Sequence, residues 1–270
     1  MKIIRKINEL KSEISNINNL GFVPTMGGFH KGHLSLIKKS IKKCRKTLVS
    51  IYVNPTQFNN KKDYLRYPRN TQKDLNKLKK LKIDFVFLPI TSEIYKKKRK
   101  KKLSLNNKKN ILCGKYRKGH FEGGIDIVDR LLDIINPKFM FLGQKDFQQL
   151  FLIKKHALKK FKVKIISCKT IRDKNFVALS SRNFLLSKND LQIAGKISKK
   201  LNLFKKKIEK NYKFKRKINF YKNYIINKYA IKIDYLEARN EKDLSIFKNR
   251  KKFRLFVAYH ISKVRLIDNY

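Results

Sequence analysis

The 270-residue sequence is short of cysteine, of acidic side chains and of long apolar runs, and each shortage removes a class of protein. Its three cysteines, Cys44, Cys113 and Cys168, are odd in number and far apart, with no CxxC pair. That spacing argues against a disulfide-stapled scaffold and against a cysteine metal centre, and it fits a reducing compartment. No apolar run approaches the roughly 18 to 20 residues that a membrane-spanning helix needs, and MKIIRKINEL at the N-terminus lacks a signal-peptide core. A cytoplasmic protein with no membrane partner is expected. No internal repeat is evident, and the one low-complexity stretch is the basic run Lys96 to Lys102, KKKRKKK.

Against 19 Asp and Glu stand 69 Lys and Arg, a formal net charge of +50. Clustered basic side chains release counterions from a nucleic-acid backbone, so a nucleic-acid partner has to be weighed. Here the charge is spread along the whole chain beside abundant Ile and Asn, the residues that AT-rich codons supply. It therefore reads as solvated lysine faces, and nucleic acid is not an expected partner despite the charge. KKKRKKK reads the same way, as a solvated loop. A hydrophobic fraction of 41%, with 12 Tyr and 19 Phe, is ample for a folded core.

Between Gly21 and Cys168 short apolar runs alternate with amphipathic stretches, the pattern of βαβ units. Strands are expected at Gly21 to Thr25, Thr47 to Val53, Asp84 to Leu88, Lys138 to Leu142 and Val163 to Ser167. Val128, Leu131, Leu132 and Ile135 recur at helical spacing up to Asn136 and Pro137, and a second helix should follow Gly143 with Phe147, Leu150, Phe151 and Leu158 inward. After Ala178 a lysine-rich helix is expected from Ser187 to Lys210, then strands at Ile233 to Ala238 and Leu255 to Tyr259. The fold class is α/β: a Rossmann-like, doubly wound parallel sheet over residues 1–178, with a smaller α+β lid domain over 179–270. Ligands of such sheets bind at the carboxyl ends of the strands.

Four segments carry chemistry. In VPTMGGFHKGH, Val23 to His33, a strand ends in glycines and His30 and His33 follow three residues apart as a helix begins. Gly27, Gly28 and Gly32 permit close backbone approach, and a helix N-terminus favours an anion. A helix terminus contributes only about 0.3 to 1 kcal/mol, so imidazoles donating to phosphate oxygens matter more. No third ligand for a metal lies nearby. In SIYVNPTQF, Asn54 and Gln57 end a strand with amides that suit a small polar substrate, though a simple strand-ending turn has the same composition. FLGQKDFQQL offers Lys145 to phosphate charge, Asp146 to a ribose or base, and Gln149 toward the same end of the sheet as Gln57; a solvated helix start is the competing reading. In ALSSRNFLLS, Ser180, Ser181 and Arg182 form a mobile phosphate clamp, or the segment is an interdomain hinge, or both.

The first segment resembles the HxGH signature of the nucleotidylyltransferase superfamily, and the four in order resemble the pantoate–beta-alanine ligases. YPRN at Tyr67 to Asn70, the stretch Leu112 to Val128 containing RKGHF, and RLIDN at Arg265 to Asn269 extend the likeness over essentially the whole chain. The resemblance implies a homodimeric ligase of pantothenate biosynthesis. Its substrates are pantoate, beta-alanine and ATP as co-substrate, with Mg²⁺ expected and a pantoyl-adenylate intermediate. Carried over, Met26, Gly27, Gly28, Phe29, His30, Lys31, Gly32 and His33 match the ATP loop, with His33 the proton donor and His30 on phosphate. Gly143, Gln144, Lys145, Asp146, Ile171, Leu179, Ser180, Ser181 and Arg182 match further ATP contacts. Gln57 and Gln149 match the pair on pantoate, Gln57 also serving beta-alanine, with Asn54 and Arg117 in support. The Mg²⁺ ligands are not legible; Asp74 is the carboxylate singled out.

Several positions depart from the pattern: Lys31 replaces a common acidic residue, Gln144 the Glu of GEKD, Cys113 a Glu, Lys118 a proline, Glu122 an Arg, and Lys174, Asn175 and Phe176 a KDG turn. These bear on rate and loop geometry. Another nucleotidylyltransferase, which would not require Gln57 and Gln149, and a basic RNA-binding protein with relic motifs are the alternatives.

Overall fold

The computed structural model describes residues 1–96, 105, 107–248 and 252–270. Residues 97–102 of the basic run therefore lie outside the described residues. In chain order the first part comprises β1 (Lys2–Ile4), α1 (Ile7–Ile14), β2 (Leu20–Thr25), α2 (Lys31–Lys43), β3 (Lys46–Ile51), α3 (Lys61–Leu65) and α4 (Thr71–Lys80). It continues through β4 (Phe85–Phe87), α5 (Thr91–Tyr95), α6 (Cys113–Tyr116), α7 (His120–Ile135), β5 (Phe139–Gly143), α8 (Phe147–Lys160) and β6 (Lys164–Cys168). The remainder comprises α9 (Lys188–Lys210), α10 (Ile218–Tyr229), β7 (Lys232–Asn240), β8 (Phe253–Ile261) and β9 (Val264–Asn269).

β1 to β6 form one sheet in the order β1-β4-β3-β2-β5-β6, every pairing parallel. The inner strands are near-continuous apolar runs because both faces are covered. Leu10 and Ile14 of α1, with the buried side of α7 and Ile153 of α8, pack on one face; Leu36 and Ile37 of α2 and Leu78 of α4 pack on the other. From β2 the chain builds β3 and β4 to one side and β5 and β6 to the other. The carboxyl ends of β2 and β5 thus flank the switch point, where a crevice opens.

β7, β8 and β9 form a separate antiparallel sheet. Ala194, Ile197, Leu201 and Phe204 of α9 and Ile225 of α10 share a core with Leu255, Val257 and Tyr259. Ser187 caps α9 in a reciprocal box with Asp190, which fixes where that helix starts. The doubly wound parallel sheet with a smaller α+β part agrees with the expected fold class.

The expected strands differ from those observed by at most two residues at either end. Leu158 was expected inward and is 78% exposed, whereas Ile153 and Ala157 are buried. At 3.6 residues per turn Ala157 lies about 20° from Leu150 around the helix and Leu158 about 80°, which takes Leu158 off the buried face. The short edge strand β1, helix α10 and the closing strand β9 had not been assigned as elements.

Candidate active site

The chain leaves β2 through Gly27 and Gly28, whose φ values of 77° and 65° lie in the left-handed region that a side chain disfavours. The loop is then fastened from α4. Asp74, 3% exposed, accepts from the Gly28 amide at 2.7 Å and the Phe29 amide at 2.8 Å. Lys77 donates to the Phe29 carbonyl, and the Phe29 ring is buried in the core. Ser181 closes the other side by donating to the Gly28 carbonyl at 3.0 Å.

These contacts bear on three expectations. The Gly27 amide bonds to the Thr25 hydroxyl and the Gly28 amide to Asp74, so neither is offered to a ligand. Asp74 is fully engaged as the loop's anchor and does not face the crevice as a metal ligand would. Ser181, expected in a phosphate clamp or an interdomain hinge or both, is a buried latch onto the loop and also lines the cleft.

His30 is the N-cap of α2: its Nδ1 accepts from the Gly32 amide at 3.1 Å, which leaves the ring's proton on Nε2. Gly32 is needed at this point, since a Cβ there would lie 2.7 Å from the His30 ring. The His33 ring stands 4.1 Å from that of His30, centroid to centroid, and its Nδ1 is buried without a hydrogen-bond partner. Burial, then the Lys145 charge, lowers His30 to a pKa of about 4. Burial, then His30, lowers His33 to about 3. Both imidazoles are therefore neutral at physiological pH before a nucleotide arrives.

Lys145 and Asp146 follow the end of β5, with Lys145 Nζ 3.3 Å from the Asp146 carboxylate. Partial desolvation at the cleft wall pushes the half-exposed Asp146 carboxyl up, but Lys145, then His120 and His33, outweigh that and hold it below the usual range. Arg182 bonds to both carboxylate oxygens of Asp63 on α3, at 3.0 and 2.7 Å, and Arg117 lies 3.7 Å from the same carboxylate. Burial, then Arg182, lowers Arg117 to about 10.

On the other side Asn54, buried, donates to the Gly123 carbonyl at 3.0 Å. Gly123 is required there, because a Cβ would sit 2.2 Å from the Thr56 carbonyl oxygen. Gln57 is buried against Gly124 and faces the same cleft as Gln149.

One cleft at the carboxyl edge of the sheet thus brings together Met26, His30, Gly32, His33, Asn54, Gln57, Gly143, Lys145, Asp146, Gln149, Ile171, Leu179, Ser180, Ser181 and Arg182. Gly27, Gly28, Phe29, Lys31 and Gln144 do not line it. Lys31 is exposed, and Gln144 contributes its carbonyl to the Asn269 amide at 2.9 Å. The cleft also takes in His120, Tyr67 and Arg265, to which the sequence reading gave no role. His120 and Tyr67 stood inside the recognised segments RKGHF and YPRN, so their type was visible but not their tertiary contacts.

Among the departures from the family pattern, Glu122 pairs with Lys109 at 2.8 Å. Cys113 lies 3.0 Å from the Tyr235 hydroxyl and faces the Arg265 guanidinium. Phe176 holds φ 75° with Arg172 over its ring.

A family model described as pantoate-beta-alanine ligase matches residues 2–270. A pantothenate synthetase of Caldicellulosiruptor bescii is 37% identical over 277 residues, covering 100% of this chain and 98% of the relative. One of Endomicrobium trichonymphae is 40% identical, covering 100% and 97%. A crystal structure of a pantothenate synthetase from Thermus thermophilus superposes with a TM-score of 0.91 at 28% identity, over 100% of this chain and 99% of that one. A pantoate-beta-alanine ligase from Francisella tularensis, described as complexed with beta-gamma ATP and beta-alanine, gives 0.84 at 37% identity, over 100% and 97%.

Proposed function

This chain belongs to the pantoate-beta-alanine ligase family, and from that premise we propose how its cleft joins pantoate to beta-alanine at the expense of ATP. A carboxylate is a poor acyl electrophile, so it is activated first. A pantoate carboxylate oxygen attacks the α-phosphorus of ATP, the bond from that phosphorus to the bridging oxygen breaks, and pyrophosphate leaves with the negative charge. The beta-alanine amine, having lost its ammonium proton, then attacks the acyl carbon of pantoyl adenylate; the bond to the AMP oxygen breaks, and the nitrogen gives up a second proton to solvent as the amide of pantothenate forms.

The observation that carries this reading is the convergence on one cleft of two neutral imidazoles, two cations and two amides from four separate segments. Positioning alone can supply effective molarities on the order of 10⁵ M or more. His30, with its proton on Nε2, and His33 are the donors proposed for phosphate oxygens. Lys145 and Arg182 offset charge on the α-phosphate and the departing pyrophosphate. Gln57 and Gln149 hold the hydroxyls and carboxylate of pantoate through paired donors and acceptors.

Mg²⁺ is proposed to arrive with ATP, since it keeps several waters and leans on substrate phosphates. Asp146 suits it, as a half-exposed carboxylate lining the cleft. When bound, the ion neutralises charge on the leaving pyrophosphate. Among the described residues no group of three or more His, Cys, Asp or Glu forms a ready-made metal site, which fits an ion held mainly by its substrate.

No described helix is long and apolar enough to cross a membrane, and the three cysteines are unpaired. Both observations support the proposed cytoplasmic setting, and a homodimer completes the proposal. Incubating the chain with ATP, pantoate and beta-alanine should yield pantothenate and AMP. His33→Ala should cut turnover by about a hundredfold or more, the scale for losing a donor to developing charge. A fully active His33→Ala protein would remove His33 from the mechanism.

A further inference from the structure

We propose that His120 is a positioning residue for the pantoate-holding Gln57, acting through the Gln57 main-chain carbonyl. The inference rests on the reading of Gln57 given above. His120 Nδ1 lies 2.8 Å from the Gln57 carbonyl oxygen, and His120 Nε2 lies 3.0 Å from Arg117 Nη1. An arginine has only protons to give, so Nε2 is the acceptor of that contact. The ring proton is then on Nδ1, where it donates to Gln57. Arg117 thereby selects the tautomer that the substrate-holding turn needs.

The turn is fixed at three points on the start of α7. His120 is its first residue and holds the Gln57 carbonyl; Asn54 holds the Gly123 carbonyl; Gly123 admits the Thr56 carbonyl where no Cβ fits. The Gln57 side chain lies against Gly124, whose absent Cβ would stand 3.5 Å from the Gln57 amide. With its backbone pinned and one face packed against Gly124, the Gln57 side chain lines the cleft. Burial, then the neighbouring Arg117 charge, lowers His120 to about 3, so the ring stays neutral and the tautomer persists across the working range.

The chain of contacts continues from Arg117 to Asp63, the carboxylate that also holds Arg182. His120 therefore links the amide end of the cleft to its phosphate end without itself being assigned to a substrate. A residue that merely filled space would have no use for a defined tautomer.

Three substitutions in the full chain separate the roles. In His120→Asn the side-chain amide stands where Nδ1 stood and keeps a donor for Gln57. In His120→Gln the amide stands where Nε2 stood and keeps a partner for Arg117 but none for Gln57. His120→Phe keeps the ring and loses both. The readouts are the KM values for pantoate and for ATP in pantoate-dependent pyrophosphate exchange, with the thermal midpoint of each protein.

The Gln and Phe variants should raise the KM for pantoate about tenfold, the scale of one buried carbonyl left unpaired, while the KM for ATP stays near that of the unmodified chain. The Asn variant should recover most of the pantoate affinity. An Asn variant as impaired as the Gln variant overturns the proposal, as does an unchanged KM for pantoate in the Gln variant. A parallel rise of both KM values with a lowered midpoint in all three also overturns it, since that is the signature of general destabilisation. Should the Phe variant fail to fold, the Asn and Gln pair decides alone. An unmodified chain that forms no pantothenate overturns the functional reading itself, and the inference with it.

Discussion

At the end of the cleft proposed to take phosphate, Lys145 lies against Asp146 and Arg182 against Asp63, while at the amide end Asn54 and Gln57 are buried, uncharged and fastened to α7. The charged end carries its own counter-anions. On the proposed reading an incoming triphosphate there exchanges one anionic partner for another, so its affinity is set by a difference between ion pairs and is open to screening by salt. The amide end has no such exchange to make, and its selectivity comes from rigidity: a polar group presented in one direction rejects a substrate that cannot answer it.

The phosphate loop shares one property with the amide end: its backbone is also held by a buried side chain, Asp74. The largest effect expected from breaking the comparison is therefore at Asp74. Asp74→Ala leaves two amides without a charged partner and should cost about 3 kcal/mol or more, read from the urea midpoint, together with a higher KM for ATP. Asn54→Ala, at the other end, removes only neutral bonds, to the Gly123 carbonyl and from the Tyr95 and Thr56 hydroxyls, and should cost about 2 kcal/mol, with the effect falling on pantoate rather than ATP. Equal losses, or an ATP effect from Asn54, would erase the distinction between the ends.

The histidines give a second contrast, in pH. Their ordinary pKa is 6.5, and the fold lowers His30 to about 4 and His33 and His120 to about 3. Below pH 6.5 the unfolded chain binds protons that the folded chain does not, so their contribution to stability is complete above 6.5 and lost as the pH falls toward 3. The slope in that window is up to about 1.4 kcal/mol per pH unit for each histidine. A bound triphosphate favours the charged imidazole, so ATP binding near pH 6 should take up protons, seen as a dependence of the calorimetric heat on buffer ionisation. Pantoate binding alone should take up fewer, since His120 keeps its neutral tautomer. Proton-neutral ATP binding would contradict the proposed contact between the imidazoles and phosphate.

The smallest expected effect is at Asp63. Asp63→Asn frees Arg182 and Arg117 from their internal anion, and should lower the KM for ATP a few-fold at low salt, with the gain fading as salt screens the arginines. A raised KM would show that Asp63 is needed to aim Arg182 rather than to neutralise it.

The sheet and both histidines were legible in the sequence because they depend on local pattern. The strand runs are apolar on both faces, and a glycine-rich strand end followed by HKGH has few other uses. What was not legible depends on partners far away in the chain. Asp74 reads as a candidate magnesium carboxylate, and its place as the loop's anchor appears only when α4 is set beneath the loop 45 residues earlier. Ser181 reads as a clamp or hinge residue, and its latch onto the Gly28 carbonyl is a contact 153 residues away that no local pattern announces. Leu158 was misplaced by counting apolar residues rather than their angle. The role of His120 required knowing that Arg117 faces one of its nitrogens and Gln57 the other.

The proposed mechanism has this cleft convert pantoate to an adenylate before the amine enters. Exchange of labelled pyrophosphate into ATP by the unmodified chain, in the absence of beta-alanine, tests it most directly. Exchange should appear with pantoate and vanish without it. Exchange that proceeds without pantoate, or only once beta-alanine is present, would contradict the account.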